Sequence, residues 1–208
     1  MGVSALYLFD HDMPNMTMDE RADELIRRYK AAGRNLIRVD DFDDNNFSDY
    51  MMTVSEGAIY IRKHFKSTKF IPNITIYIDV METYVNVSGF PYVPAYASMY
   101  DFLDEFFIKH TRESLLVLKK AIAHFEKEII PFFHSKLLFI VGDSAGWDLT
   151  WDGLYEEKTI EECIVTSPVK MDIYSVDDTR PFDRLLVNYY DPYNSTWPVI
   201  LHYFDKND

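Results

Sequence analysis

The pattern of apolar and polar residues begins with a short β-prone run, Ala5 to Phe9, which reads as a buried strand. Asp10-His11-Asp12 ends it and Pro14-Asn15 turns the chain. Thr17 then stands three residues before Glu20, the spacing of a capping box, and Ala22, Leu25, Ile26 and Tyr29 recur at helical intervals up to Gly33. Asn35 to Val39 reads as a second strand, so the opening is β–α–β and compatible with a parallel crossover. Beyond the polar stretch 40–46 the period changes. Ala58 to Phe65, Ile74 to Val80 and Tyr84 to Val87 alternate as strands separated by short turns, the pattern of an antiparallel meander. Two helices are expected next, one capped by Ser98 and one by Thr111, the second with Leu115, Leu118, Ile122, Phe125 and Ile129 along one stripe and Pro131 stopping it. Strands are expected again at Leu137 to Val141, Lys170 to Val176, Arg184 to Tyr190 and Pro198 to Phe204. With no repeat, low-complexity tract or linker, the pattern predicts one α+β domain over residues 1–208, a β-α-β start joined to a mostly antiparallel sheet with two or three packing helices.

Composition supports a packed core. Of the 208 residues, 48% are hydrophobic, more than a disordered chain carries. The single cysteine, Cys163, has no partner for an internal disulfide and points to a reducing compartment. The opening Met1-Gly2-Val3-Ser4 has neither a basic region nor an apolar run of secretory type, and the apolar runs are strand-sized, so a cytoplasmic chain without a membrane span is expected.

Charge narrows the partners. The formal net charge is −13, a poor match to nucleic acid, which is bound through basic surfaces. Residues 1–56 hold 6 basic and 12 acidic groups, residues 57–136 hold 10 and 8, and residues 137–208 hold 5 and 14. Two acidic ends thus flank a near-neutral middle, a distribution that steers a basic protein toward the surface carrying those ends.

Two motifs bear on chemistry. Gly142-Asp143-Ser144-Ala145-Gly146 has the G-x-S-x-G spacing of a hydrolase nucleophile elbow, but Trp147 to Gly153 is poor helix material and His202 is the only histidine downstream. The second motif pairs two sites. A strand followed by Asp10-x-Asp12, and a later strand followed by Gly142-Asp143 with Asp148 five residues on, resemble the first and fourth motifs of haloacid-dehalogenase-type phosphohydrolases. That resemblance implies a nucleophilic Asp10, a general acid–base Asp12, and Mg²⁺ held by Asp10, Asp12, Asp143 and Asp148. The six histidines show no zinc spacing. The acidic stretch 40–46 lacks the glycine and terminal Glu of an EF-hand loop. The compact basic run 62–69 reads as a solvated strand edge.

The last third mixes rings with carboxylates. Trp147, Trp151 and Tyr155 alternate with Asp148, Asp152, Glu156 and Glu157, the composition of an interface that meets a positive surface. The reading preferred from sequence is therefore an acidic protein-binding domain, an inhibitor or immunity-type protein for a basic partner, needing no cofactor. The alternatives are the Mg²⁺-dependent phosphohydrolase and a non-catalytic subunit of a larger assembly.

Overall fold

The computed structural model describes residues 5–66, 74–88, 119, 122–123, 126–127, 129–142, 157–167, 170–175 and 197–204. The expected helices after Ser98 and Thr111 fall largely outside these residues, and the expected strand at Arg184 to Tyr190 falls wholly outside them.

Among the described residues, nine strands form one mixed sheet in the order β2-β3-β4-β5-β6-β1-β7-β9-β8. They are β1 (Ala5–Asp10), β2 (Leu36–Arg38), β3 (Tyr50–Val54), β4 (Ile59–Phe65), β5 (Ile74–Val80), β6 (Tyr84–Ser88), β7 (Leu137–Gly142), β8 (Met171–Tyr174) and β9 (Trp197–Tyr203). The pairings β2–β3 and β8–β9 at the two edges are parallel and all the inner ones antiparallel. The meander expected at 58–87 is present as β4, β5 and β6. β1 and β2 do not pair: β3, β4, β5 and β6 lie between them. The strand–helix–strand opening is thus not a unit of adjacent parallel strands. Sequence alone misses β3, which fills the place beside β2.

Three helices accompany the sheet among the described residues: α1 (Met18–Ala31), the single turn α2 (Ile130–Phe133) and α3 (Ile160–Thr166). The Thr17–Glu20 capping box opens α1, and Gly33, at φ 69°, follows the helix in the left-handed conformation that only glycine adopts without strain. Pro131 lies in the first turn of α2, where its missing N–H costs nothing.

Alternation along the strands sorts side chains onto two faces. Tyr7 and Phe9 of β1, Ile59 and Ile61 of β4, Ile76 and Ile78 of β5, and Leu138 and Ile140 of β7 point to the first face. There they bury Ala22, Leu25 and Tyr29 of α1 together with Phe132 and Phe133 of α2. Ile122 and Ile129 of the expected apolar stripe are buried in the same cluster. On the second face, Leu8, Leu137, Phe139 and Val199 pack against Ile160 and Cys163 of α3. Cys163 is a buried thiol in this layer, outside any disulfide. No helix of the described residues is long and apolar enough to cross a membrane.

Candidate functional site

At the end of β1, the aspartates of the first motif are held by protein donors. Asp10 Oδ1 accepts the backbone N–H groups of Lys136 and Leu137 at 2.7 and 3.0 Å, while Ser135 Oγ donates to the Asp10 carbonyl at 2.6 Å. Asp12 accepts Arg28 Nη1 and Nη2 at 2.8 and 3.1 Å and His134 Nδ1 at 2.6 Å. Arg28 also reaches Glu24 and the Phe132 carbonyl. His134 itself is left-handed, with φ 50°, at the end of α2. Partial burial works against ionised Asp12, but the hydrogen bonds and charges of Arg28 and His134 outweigh it and hold its carboxyl below the usual aspartate range. These contacts tie the β1–α1 turn to the α2–β7 turn, 122 residues apart at Asp12 and His134.

His11 lies between the two aspartates and is buried. Its Nδ1 accepts the Met13 N–H at 3.1 Å, so Nε2 carries the proton that it donates to the Met81 carbonyl at 3.0 Å.

Asp143 and Asp148 lie outside the described residues. Because β1 and β7 run antiparallel, Gly142 pairs with Ala5, five residues from Asp10, or about 17 Å along a strand. The chain therefore leaves β7 at the end of β1 opposite Asp10. Among the described residues, no group of three or more His, Cys, Asp or Glu could hold a metal ion.

Of the aromatic–acidic block, Trp147, Asp148, Trp151, Asp152, Tyr155 and Glu156 also lie outside the described residues. Glu157 is exposed, with φ 61°. Thr83 Oγ1 donates to the carbonyl of the next residue, Lys158, at 2.9 Å, fixing the approach to α3. Thr159 and Glu162 then form a second capping box, and Glu161 and Glu162 are exposed.

A surface of the same chemistry is assembled elsewhere, on the second face of β4 and β5. Tyr60, Arg62 and His64 alternate away from the first-face core, and Arg62 sits opposite Tyr77. The Arg62 guanidinium lies 4.0 Å from the Phe42 ring centroid and 5.2 Å from that of Tyr77. Phe42 thereby anchors the β2–β3 loop, residues 39–49, over the sheet. Tyr60 and Tyr77 remain 41% and 38% exposed, enough for both rings to offer contact area.

The loop has a defined internal structure. Asp43 Oδ1 accepts the Asn45 N–H, and Asn46 Oδ1 accepts the N–H groups of Ser48 and Asp49. Asp49 is hydrogen-bonded by Asn35, Ser48 and Asn46, which lowers its pKa. Four further carboxylates, on Asp40, Asp41, Asp43 and Asp44, are exposed. The acidic stretch is visible in the sequence, but its place beside Tyr60 and Tyr77 is not. The available signal was the strict alternation Ile59-Tyr60-Ile61-Arg62, which puts Tyr60 and Arg62 opposite the core.

The loop also walls a cleft of about 790 Å³, lined by Asn45, Phe47 and Ser48 of the loop and by Lys63, His64 and Lys66 at the end of β4. Lys63 Nζ donates to the Phe47 carbonyl at 2.8 Å. Desolvation lowers the Lys63 pKa, an effect that the Asp49 charge opposes. His64 Nδ1 pairs with Thr75 Oγ1 at 2.7 Å, whereas its buried Nε2 has no hydrogen-bond partner.

Comparison with protein families, with curated proteins and with solved structures finds no match to this chain.

Proposed function

We propose that the chain is a protein-binding domain whose second sheet face receives a basic protein partner, in the manner of an inhibitor or immunity-type protein. The observation that carries this reading is the Phe42–Arg62–Tyr77 stack, which holds four exposed aspartates beside two exposed tyrosines. A flexible acidic loop would lose conformational entropy on binding, whereas an anchored one has already lost much of it. Tyrosine offers apolar contact area and a hydroxyl with few rotatable bonds, and the aspartates supply the field that selects a positive surface.

Acidity on this face extends beyond the loop. Exposed Glu157, Glu161 and Glu162 belong to the segment that packs over β1 and β7. β4 and β1 are three strand spacings apart, about 14 Å, so loop and helix flank the tyrosines within the width of an ordinary interface.

The test is a complex formed with the full chain and mapped by amide hydrogen exchange. Binding through this face slows exchange at loop 39–49 and in β4 and β5, and Tyr60→Ala with Tyr77→Ala weakens the complex while leaving thermal stability nearly unchanged. Protection confined to the β8 edge, with affinity indifferent to both tyrosines, would place the interface elsewhere.

A further inference from the structure

The cleft at the end of β4 has a different character from the acidic face beside it. Its lining at the end of β4 includes cations and hydrogen-bond donors. Lys63 uses one of its three ammonium protons on the Phe47 carbonyl, leaving two, and the exposed Lys66 ammonium lies 5.6 Å from the Phe47 ring centroid. The His64 side chain is only 8% exposed, so its unpaired Nε2 is more than nine-tenths buried at the cleft wall. A buried polar atom left without a partner is costly, and such atoms recur where a ligand completes the pairing. When the Thr75 hydroxyl donates to Nδ1, Nε2 is a proton donor that lacks an acceptor. Phe47 and Phe65 supply apolar wall. The volume falls within the range of small-molecule sites.

We propose that this cleft binds a small organic oxyanion, a phosphate ester or a carboxylate, with its oxygens received by Lys66 and His64 Nε2 and its body against the Phe47 ring, which lies 5.6 Å from the Lys66 ammonium and 6.0 Å from the His64 ring, while Lys63 and Phe65 line the cleft from the opposite face of β4. Three carboxylates oppose the ligand, and the charge of one, Asp49, acts on Lys63. Asp43 lines the cleft, and Asp44 Oδ1 stands 3.7 Å from His64 Nε2, outside hydrogen-bond reach but close enough to compete for it. The Asp44 side chain is 84% exposed and can give way to solvent when an anion enters. The overall charge of −13 acts over longer distances, where salt screens it beyond about 8 Å.

Asp44 gives the proposal a test with opposite signs. The full chain is titrated with phenyl phosphate, inorganic phosphate and benzoate while the His64 imidazole and the amides of residues 63–66 are followed by NMR. Saturable shifts are expected, stronger for phenyl phosphate than for inorganic phosphate because only the former uses the Phe47 ring. Benzoate matching phenyl phosphate would support a carboxylate ligand at the same site. Lys66→Ala, an exposed position, should weaken binding by about tenfold, the scale of one charge-assisted contact, and Asp44→Asn should strengthen it. Shifts that do not saturate, or equal affinities in the wild type and both variants, would overturn the proposal.

Discussion

The Arg62 guanidinium lies 4.0 Å from the centroid of the Phe42 ring and so joins a strand of the sheet to the acidic loop that precedes β3. The same guanidinium reaches Tyr77 on β5, so one side chain bridges three elements. A cation over a ring at a half-exposed site stabilises by about 0.5–1 kcal/mol. Phe42→Ala should therefore lower global stability little while releasing the loop. Amides in 39–49 should exchange faster, with β4 and β5 unaffected. Unchanged loop exchange in the variant would show that the Asn46 and Asp49 hydrogen bonds hold the loop without the stack.

Arg21 makes the largest single structural commitment of the β1–α1 region. It is fully buried, donates to the carbonyls of Met13, Met16 and Met81, and pairs with Glu82 at 3.2 Å. Those carbonyls belong to the turn after β1 and the turn between β5 and β6. Arg21→Met keeps much of the volume but leaves the three oxygens without their charged donor, so a loss of about 3–5 kcal/mol is expected in urea unfolding. A loss below about 1 kcal/mol would mean that water replaces the guanidinium.

Asp10 offers a test of what the first aspartate motif does. As an acceptor for two backbone amides at the start of β7, it should tolerate Asn, which keeps a carbonyl oxygen, better than Ala, which should cost about 1–3 kcal/mol. A metal-binding role reverses the pattern: Mg²⁺ would raise the unfolding temperature of the wild type, and Asn would abolish that rise as fully as Ala.

His11 confers a pH dependence of known sign. Desolvation lowers its pKa, and the nearby Arg21 charge adds to this, against the opposing effects of the Met81 hydrogen bond and of Asp10 and Asp12. The unfolded chain takes up a proton near pH 6.5, whereas the folded chain does so only at lower pH. The stability from neutral His11 is therefore fully present above about pH 6.5 and is lost as pH falls toward the folded value. Urea midpoints of the wild type should drop across that window, and His11→Leu should flatten the drop. Identical pH profiles for the two proteins would remove His11 from the explanation.

Local chemistry was readable in the sequence where it acts over short spans. The Thr17–Glu20 box, Gly33, the continuous apolar runs of β1 and β7 and the strand patterns of β4, β5 and β6 each predict the element found. α3 carries the same signal, Thr159 three residues before Glu162 and followed by Ile160, Cys163 and Ile164, yet its seven residues show too little periodicity to stand out. β3 escaped because Tyr50–Val54 is buried in part on both sides and does not alternate cleanly. Long-range partners were not legible. Nothing in the spacing of Asp12 and His134, or of Phe42 and Arg62, states that they meet, because strand order rather than chain order brings them together. For the same reason the acidic stretch 40–46 read as a loop alone, without the tyrosines of β4 and β5 beside it.

The basic-partner reading is tested most directly by comparing two charge-matched variants. Asp41→Asn with Asp44→Asn neutralises the loop, and Asp23→Asn with Glu126→Gln removes the same charge from exposed helical positions outside that loop. Association of each with the basic protein that the wild type captures from its native host is measured as a function of salt. Steering by the loop predicts that the loop variant associates markedly more slowly and with a shallower salt dependence, while the control variant stays close to wild type. Equal association rates and salt slopes for the two variants, or a captured partner that is not basic, would contradict it.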